Sequence, residues 1–130
     1  MKTVIAVACV LLSGTLAEAQ TAAVSAAACE GLAASLSLPN STVTSAKAVA
    51  AGAFAPPAGG AGAARAAAGL PAFCRVTLTL TPSSDSDIRS EVWLPLSGWN
   101  GKFLQVGNGA WGGSIQYAAL AASLQRGYAA

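Results

Sequence analysis

The residues best suited to chemistry lie in a glycine-rich run, Gly107-Asn108-Gly109-Ala110-Trp111-Gly112-Gly113. It belongs to a longer stretch, Trp93 to Gly113, that reads as the end of a strand, a Pro/Gly turn, a short inner strand at Phe103 to Val106 and a glycine loop. A helix is expected from Ser114, with that serine as N-cap. Glycine tolerates positive φ and close approach of the main chain, so such a loop can aim backbone N–H groups inward. A helix start adds the positive end of its dipole. The chemistry implied is stabilisation of developing negative charge. A tight structural turn and a nucleotide loop are the alternatives. Gly107 to Gly112 does match G-x-G-x-x-G, but Trp111 would crowd a pyrophosphate, and no acidic ribose ligand follows within the chain.

The 130 residues contain no histidine, which excludes Ser-His-Asp, Cys-His and imidazole acid–base chemistry within them. No G-x-S-x-G occurs; Gly112-Gly113-Ser114-Ile115-Gln116 has the wrong last residue. No metal site is predicted: two mature cysteines cannot make a structural zinc site, and Asp85 and Asp87 read as turn residues, too few for calcium. Arg89 and Glu91 read as a solvated charge pair. Trp93, Trp99 and Trp111 are either core residues or exposed aromatic platforms.

The elements that must position the loop follow from patterning. Hydrophobic residues make up 54% of the chain and charged residues 9%, but much of the apolar fraction is alanine. Residues 1–19 read as a secretory signal: Lys2, an apolar run from Val4 to Leu12, and Ala17-Glu18-Ala19 before Gln20. That run is well short of the roughly 20 residues needed to span a bilayer, so no membrane association is expected after cleavage. The chain is expected to be exported, to the extracellular medium or to the periplasm of a Gram-negative host. The formal charge is +2, with basic residues scattered singly, which disfavours nucleic acid as a partner. Cys9 leaves with the signal; Cys29 and Cys74 remain as an even pair in an oxidising compartment, and one disulfide is expected rather than two free buried thiols.

In the mature part, 20–130, Ala26 to Leu36 reads as a short helix ended by Leu38-Pro39-Asn40. Asn40-Ser41-Thr42 is a glycosylation sequon, relevant only in a glycosylating host. Thr42 to Val49 reads as an edge strand, and 50–72, rich in Ala, Gly and Pro, as a flexible loop. Val76, Leu78 and Leu80 alternate with Thr77, Thr79 and Thr81. After the turn Pro82 to Asp87, Ile88, Ser90, Val92 and Leu94 face one way and Arg89, Glu91 and Trp93 the other, completing an antiparallel hairpin. The helix after Ser114 carries Arg126 in its last turn and Gly127 at its C-cap. Tyr128-Ala129-Ala130 reads as the start of another strand, so the chain is expected to be truncated.

Phe73-Cys74-Arg75-Val76, Ser90-Glu91-Val92-Trp93-Leu94-Pro95, Trp99-Asn100-Gly101-Lys102-Phe103, Gly107-Asn108-Gly109 and Arg126-Gly127-Tyr128-Ala129 closely resemble the tannase and feruloyl esterase family. Cys29 and the Leu-Pro-Asn stretch also look like that family's mature N-terminus. The resemblance implies an α/β fold, the N-terminal part of an α/β-hydrolase, and a secreted serine esterase of aromatic acids, acting on tannins or feruloylated polysaccharide. It implies a Cys29–Cys74 disulfide and an oxyanion loop with candidates Gly107, Gly109, Ala110 and Gly112, the N–H of Gly109 or Ala110 foremost. The nucleophile, acid and base would lie downstream, as would a lid with structural calcium; no catalytic cofactor is implied, and these residues alone should be inactive. The alternative is a small secreted binding module using its tryptophans.

Overall fold

The computed structural model describes residues 23–57, 61–107 and 111–130. The predicted signal segment and the start at Gln20 lie outside the described residues, as do Asn108, Gly109 and Ala110.

Helix α1 spans Ala26–Ser35. Ser25 sits before it in extended conformation, and its Oγ accepts the Ala28 N–H at 3.0 Å, satisfying one orphan amide of the first turn. Leu36 returns to extended backbone after its N–H closes on the Leu32 carbonyl, and the turn at Pro39 and Asn40 leads into strand β1, Ser41–Val49. The sheet is antiparallel in the order β1-β2-β3, with β2 at Phe73–Leu80 and β3 at Ile88–Pro95. The predicted edge strand and hairpin are therefore present. A bulge between Val43 and Ser45 reverses the alternation of β1. That reversal lets Val43 and Ala46, three residues apart, pack into the same cluster.

Both faces of the sheet are covered. On one, Cys29 and Leu32 of α1 pack over Ala46, Cys74, Val76 and Leu78, with Val92 and Leu94 of β3. The Cys29–Cys74 disulfide, with Cα atoms 5.6 Å apart, ties α1 to the central strand. On the other face, Phe73 and Trp93 are fully buried under Leu120, Ala121 and Leu124 of helix α3, Tyr117–Gln125. The parity read from β3 holds: Trp93 and Glu91 point to this side, Val92 and Leu94 to the other.

Segment 50–72, read as a flexible loop, contributes to that second face. Phe54, Ala67 and Leu70 are buried in it, and α2 spans Ala61–Ala67. The Phe54 ring meets Trp93 edge-on at 4.7 Å, and the Gly52 N–H donates to the Leu70 carbonyl at 2.9 Å. Low complexity masked two large apolar anchors set among alanines, the residues with the strongest helix propensity.

Two further expectations are corrected. The helix begins at Tyr117, not Ser114; Gln116 occupies the N-cap position and no side chain caps it. Among the described residues Phe103 to Val106 is not an inner strand. Phe103 makes a single parallel bridge to Ala129, and Phe103 and Leu104 are 60% and 41% exposed. Ala130 exchanges two hydrogen bonds with Trp93, at 2.7 and 3.0 Å, and so lies beside β3. On its other side Ala129 donates to Lys102 at 3.0 Å and accepts from Leu104 at 2.8 Å. The 102–104 segment is therefore outermost among the described residues.

Gly127, expected at the C-cap, follows cap residue Arg126 with φ +76°. A Cβ there would lie 2.7 Å from the Gly98 carbonyl oxygen, so two constraints coincide. Gly127→Ala is expected to cost about 2 kcal/mol, the left-handed backbone contributing about half of it. In thermal denaturation that is a drop of roughly 10 °C for a domain of this size; a midpoint within 2 °C of the parent would refute the close approach.

Candidate functional site

A cleft of about 440 Å³ opens between the first half of β3 and the two ends of the glycine loop. Ser90 and Glu91 form one wall; Val106, Gly107, Gly113 and Ser114 form the other. The loop is anchored on both sides by apolar residues, since Val106, Ile115 and Tyr117 all pack against the Trp93 cluster.

Of the predicted donors, Gly107 lines the cleft and is exposed, and Gly112 is exposed; Gly109 and Ala110 fall outside the described residues. Ser114 lines the cleft, where its Oγ accepts the Gln116 amide at 3.2 Å instead of capping a helix. Cys29 and Cys74 lie on the opposite face of the sheet from Glu91 and Trp93, so their disulfide braces the scaffold without touching the cleft. Asn40 is exposed in the turn before β1, with φ 51°.

The strongest electrostatic feature is one the sequence reading misassigned. Glu91 is not a solvated partner of Arg89: its side chain is only 4% exposed, and its partner is Arg75 across the sheet. Arg89 pairs instead with exposed Asp87, at 2.9 Å. Because Arg75 lies opposite Trp93 and Thr77 opposite Glu91, Arg75 and Glu91 are diagonal neighbours on one face. The Arg75 Nε donates to Glu91 Oε2 at 2.8 Å and Nη2 donates to Oε1. Trp93 Nε1 adds a bond to Oε2 at 2.9 Å, and the Tyr117 hydroxyl one to Oε1 at 3.0 Å. A carboxylate offers about four acceptor directions, and all are used. Glu91 has no room to act as a base.

Burial pushes the Glu91 pKa up, but the hydrogen bonds from Arg75 and Trp93 and the Arg75 charge outweigh it, leaving the carboxyl below its ordinary value. Arg75 is raised in turn, chiefly by its bond to Glu91. Tyr117 is raised by burial and then by the Glu91 charge, so it remains a phenol and a donor. The clue was available in the hairpin: period-two alternation places Arg75, Glu91 and Trp93 on a common face.

The tryptophans divide. Trp93 is fully buried, whereas Trp99 is 50% exposed and Trp111 wholly so. Asp85 accepts from Ser83 at 2.7 Å, and Asp87 is paired with Arg89. Among the described residues no three His, Cys, Asp or Glu side chains gather, and no helix is long and apolar enough to cross a membrane.

Residues 74–130 match the family model described as tannase and feruloyl esterase. An uncharacterized esterase of Xanthomonas campestris pv. campestris is 50% identical over 109 residues, covering 84% of this chain and 18% of the relative. A probable feruloyl esterase B-1 of Aspergillus oryzae is 47% identical over 58 residues, 45% of this chain and 11% of the relative. Feruloyl esterase C of Talaromyces stipitatus is 40% identical over 57 residues, 44% of this chain and 11% of the relative. The chain thus spans less than a fifth of the length of these relatives. The matched segment runs from Cys74 of β2 through β3, both ends of the glycine loop and α3, and over it the chain is similar to the tannase and feruloyl esterase family.

Proposed function

We propose that these residues form the oxyanion side of an exported serine carboxylic ester hydrolase with an α/β-hydrolase scaffold. Its substrates are esters of hydroxybenzoic or hydroxycinnamic acids, small or attached to polysaccharide. The observation that carries the reading is the 50% identity to an esterase over 84% of the chain. The relatives that bear the name feruloyl esterase support an aromatic acyl group. The role of the loop is supported by the place of its two ends, Gly107 and Gly113, beside a cleft, and by the glycines on either side of Asn108 and before Ala110 in sequence. The N–H of Gly109 or Ala110 is the proposed donor to the tetrahedral intermediate. The nucleophile and its acid and base partners come from outside these 130 residues, since no histidine is among them.

The test is to sequence past the codon for Ala130, express the whole reading frame, and assay methyl ferulate and methyl gallate. Hydrolysis by the whole product, blocked by a fluorophosphonate, and none by the 130-residue chain alone, is the expected result. Hydrolysis by the short chain, or a whole product inert on both esters, would overturn the proposal. The exposure of Trp99 and Trp111 favours one other reading, a binding module for phenolics. It predicts that tannic acid quenches the short chain's fluorescence and that Trp111→Ala weakens that quenching.

A further inference from the structure

The saturated carboxylate of Glu91 sits where the scaffold meets the cleft. It lines the cleft wall on β3, while its Oε1 holds the hydroxyl of Tyr117, the first residue of α3. That helix start has no side-chain cap, and residues 113–116 lead into it without a ladder of their own. Besides the packing of Ile115 on the Trp93 cluster, the stacked Trp93 and Tyr117 rings, 6.2 Å apart, and the Tyr117–Glu91 bond tie the exit of the loop to β3. Arg75 and Trp93 hold the carboxylate itself from the other side, so its orientation is set by groups that do not border the cleft.

We propose that Glu91, oriented by Arg75 and Trp93, is a positioning residue. Through the Tyr117 hydroxyl it sets the distance between β3 and residues 113–116, and hence the geometry of the wall that faces the ester. This rests on the esterase reading for its kinetic consequence, though not for its structural one. Tyr117 keeps its apolar packing when the hydroxyl alone is removed, which makes Tyr117→Phe the cleanest probe. Loss of a geometric constraint on groups that act in the transition state lowers kcat and leaves KM nearly unchanged.

The experiment has two arms. In the whole reading-frame product, Tyr117→Phe and Glu91→Gln are assayed on methyl ferulate. The expected result is about a tenfold fall in kcat for Tyr117→Phe, with KM within twofold. In the 130-residue chain, hydrogen–deuterium exchange is followed with and without Tyr117→Phe. Faster exchange is expected for 111–120, with β2 unchanged. If the whole product is inert on esters, the esterase reading fails and the exchange arm alone decides the positioning role. Parent-like exchange in 111–120 would overturn the proposal. So would parent-like kcat in an active enzyme, or a loss that spreads equally to β2 protection, which would mark Tyr117 as merely structural.

Discussion

Arg75→Met is expected to destabilise this chain by about 3–5 kcal/mol, a large part of the 5–15 kcal/mol typical of a whole domain. The variant keeps most of the side chain's volume and removes only the guanidinium. Glu91, 4% exposed, is then left with Trp93 and Tyr117 as donors and without a counter-charge. The same argument fixes the pH dependence. In the parent the Glu91 pKa is held below its ordinary value. Between the folded and unfolded pKa the unfolded chain therefore binds more protons, and stability rises with pH. That contribution is complete above the unfolded value of about 4.3 and is lost as pH falls through the folded one.

With Arg75 gone, burial, already the largest single influence, is opposed only by the bonds from Trp93 and Tyr117, and the folded pKa is expected to rise above the unfolded one. The contribution then reverses: it is present below about pH 4.3 and is lost as pH rises through the folded value. Urea denaturation between pH 3.5 and 7, with Glu91→Gln as the background that removes the titration, measures both slopes. Opposite slopes for parent and Arg75→Met are expected. Parallel slopes would mean that Glu91 is charge-compensated by something other than Arg75.

Cys29→Ala/Cys74→Ala is expected to cost about 4 kcal/mol, the chain-entropy value for a closed loop of 45 residues. The effect should also be local. In α1 the residues facing the sheet are Cys29, fully buried, and Leu32, half-buried; the rest of the helix is exposed alanine, glycine, serine and glutamate. So small an apolar contact holds a ten-residue helix weakly without the covalent tie, because isolated helices of this length are marginal in water. Hydrogen exchange of 26–35 should approach the unprotected rate in the double variant while β2, bonded on both edges, stays protected. A urea midpoint matching the parent would show that α1 docks by packing alone.

Much of the architecture was legible because it is local. Alternation in 73–95 fixed which side chains of the hairpin share a face, and the reading of Ala26 to Leu36 as a helix ended by Leu38-Pro39-Asn40 bounded α1 to within a residue. The misses share a cause. Glu91 was paired with Arg89 because those two are near in sequence, yet neighbours two apart in a strand are about 7 Å apart, and the real partner is chosen by the register with β2. Ser114 has the chemistry of an N-cap, but the packing of Tyr117 onto Trp93 starts the helix three residues later. Phe103 to Val106 has the composition of an inner strand; inner position depends on a ladder along both edges, and among the described residues only the single bridge to Ala129 forms, on one edge. Phe54 and Leu70 were lost in a low-complexity background because composition averages away single anchors.

The sequence by itself determined side-chain direction along β2 and β3, the limits of α1, the pairing of Cys29 with Cys74 and the exclusion of histidine chemistry within these residues, all set by residue type or by short-range periodicity. Only the tertiary structure decided that a part-buried Arg75–Glu91 pair links β2, β3 and α3, and that the glycine loop's ends meet the sheet across a cleft. Burial and partner choice are properties of surfaces brought together from distant parts of the chain, and no local pattern specifies which surfaces those are.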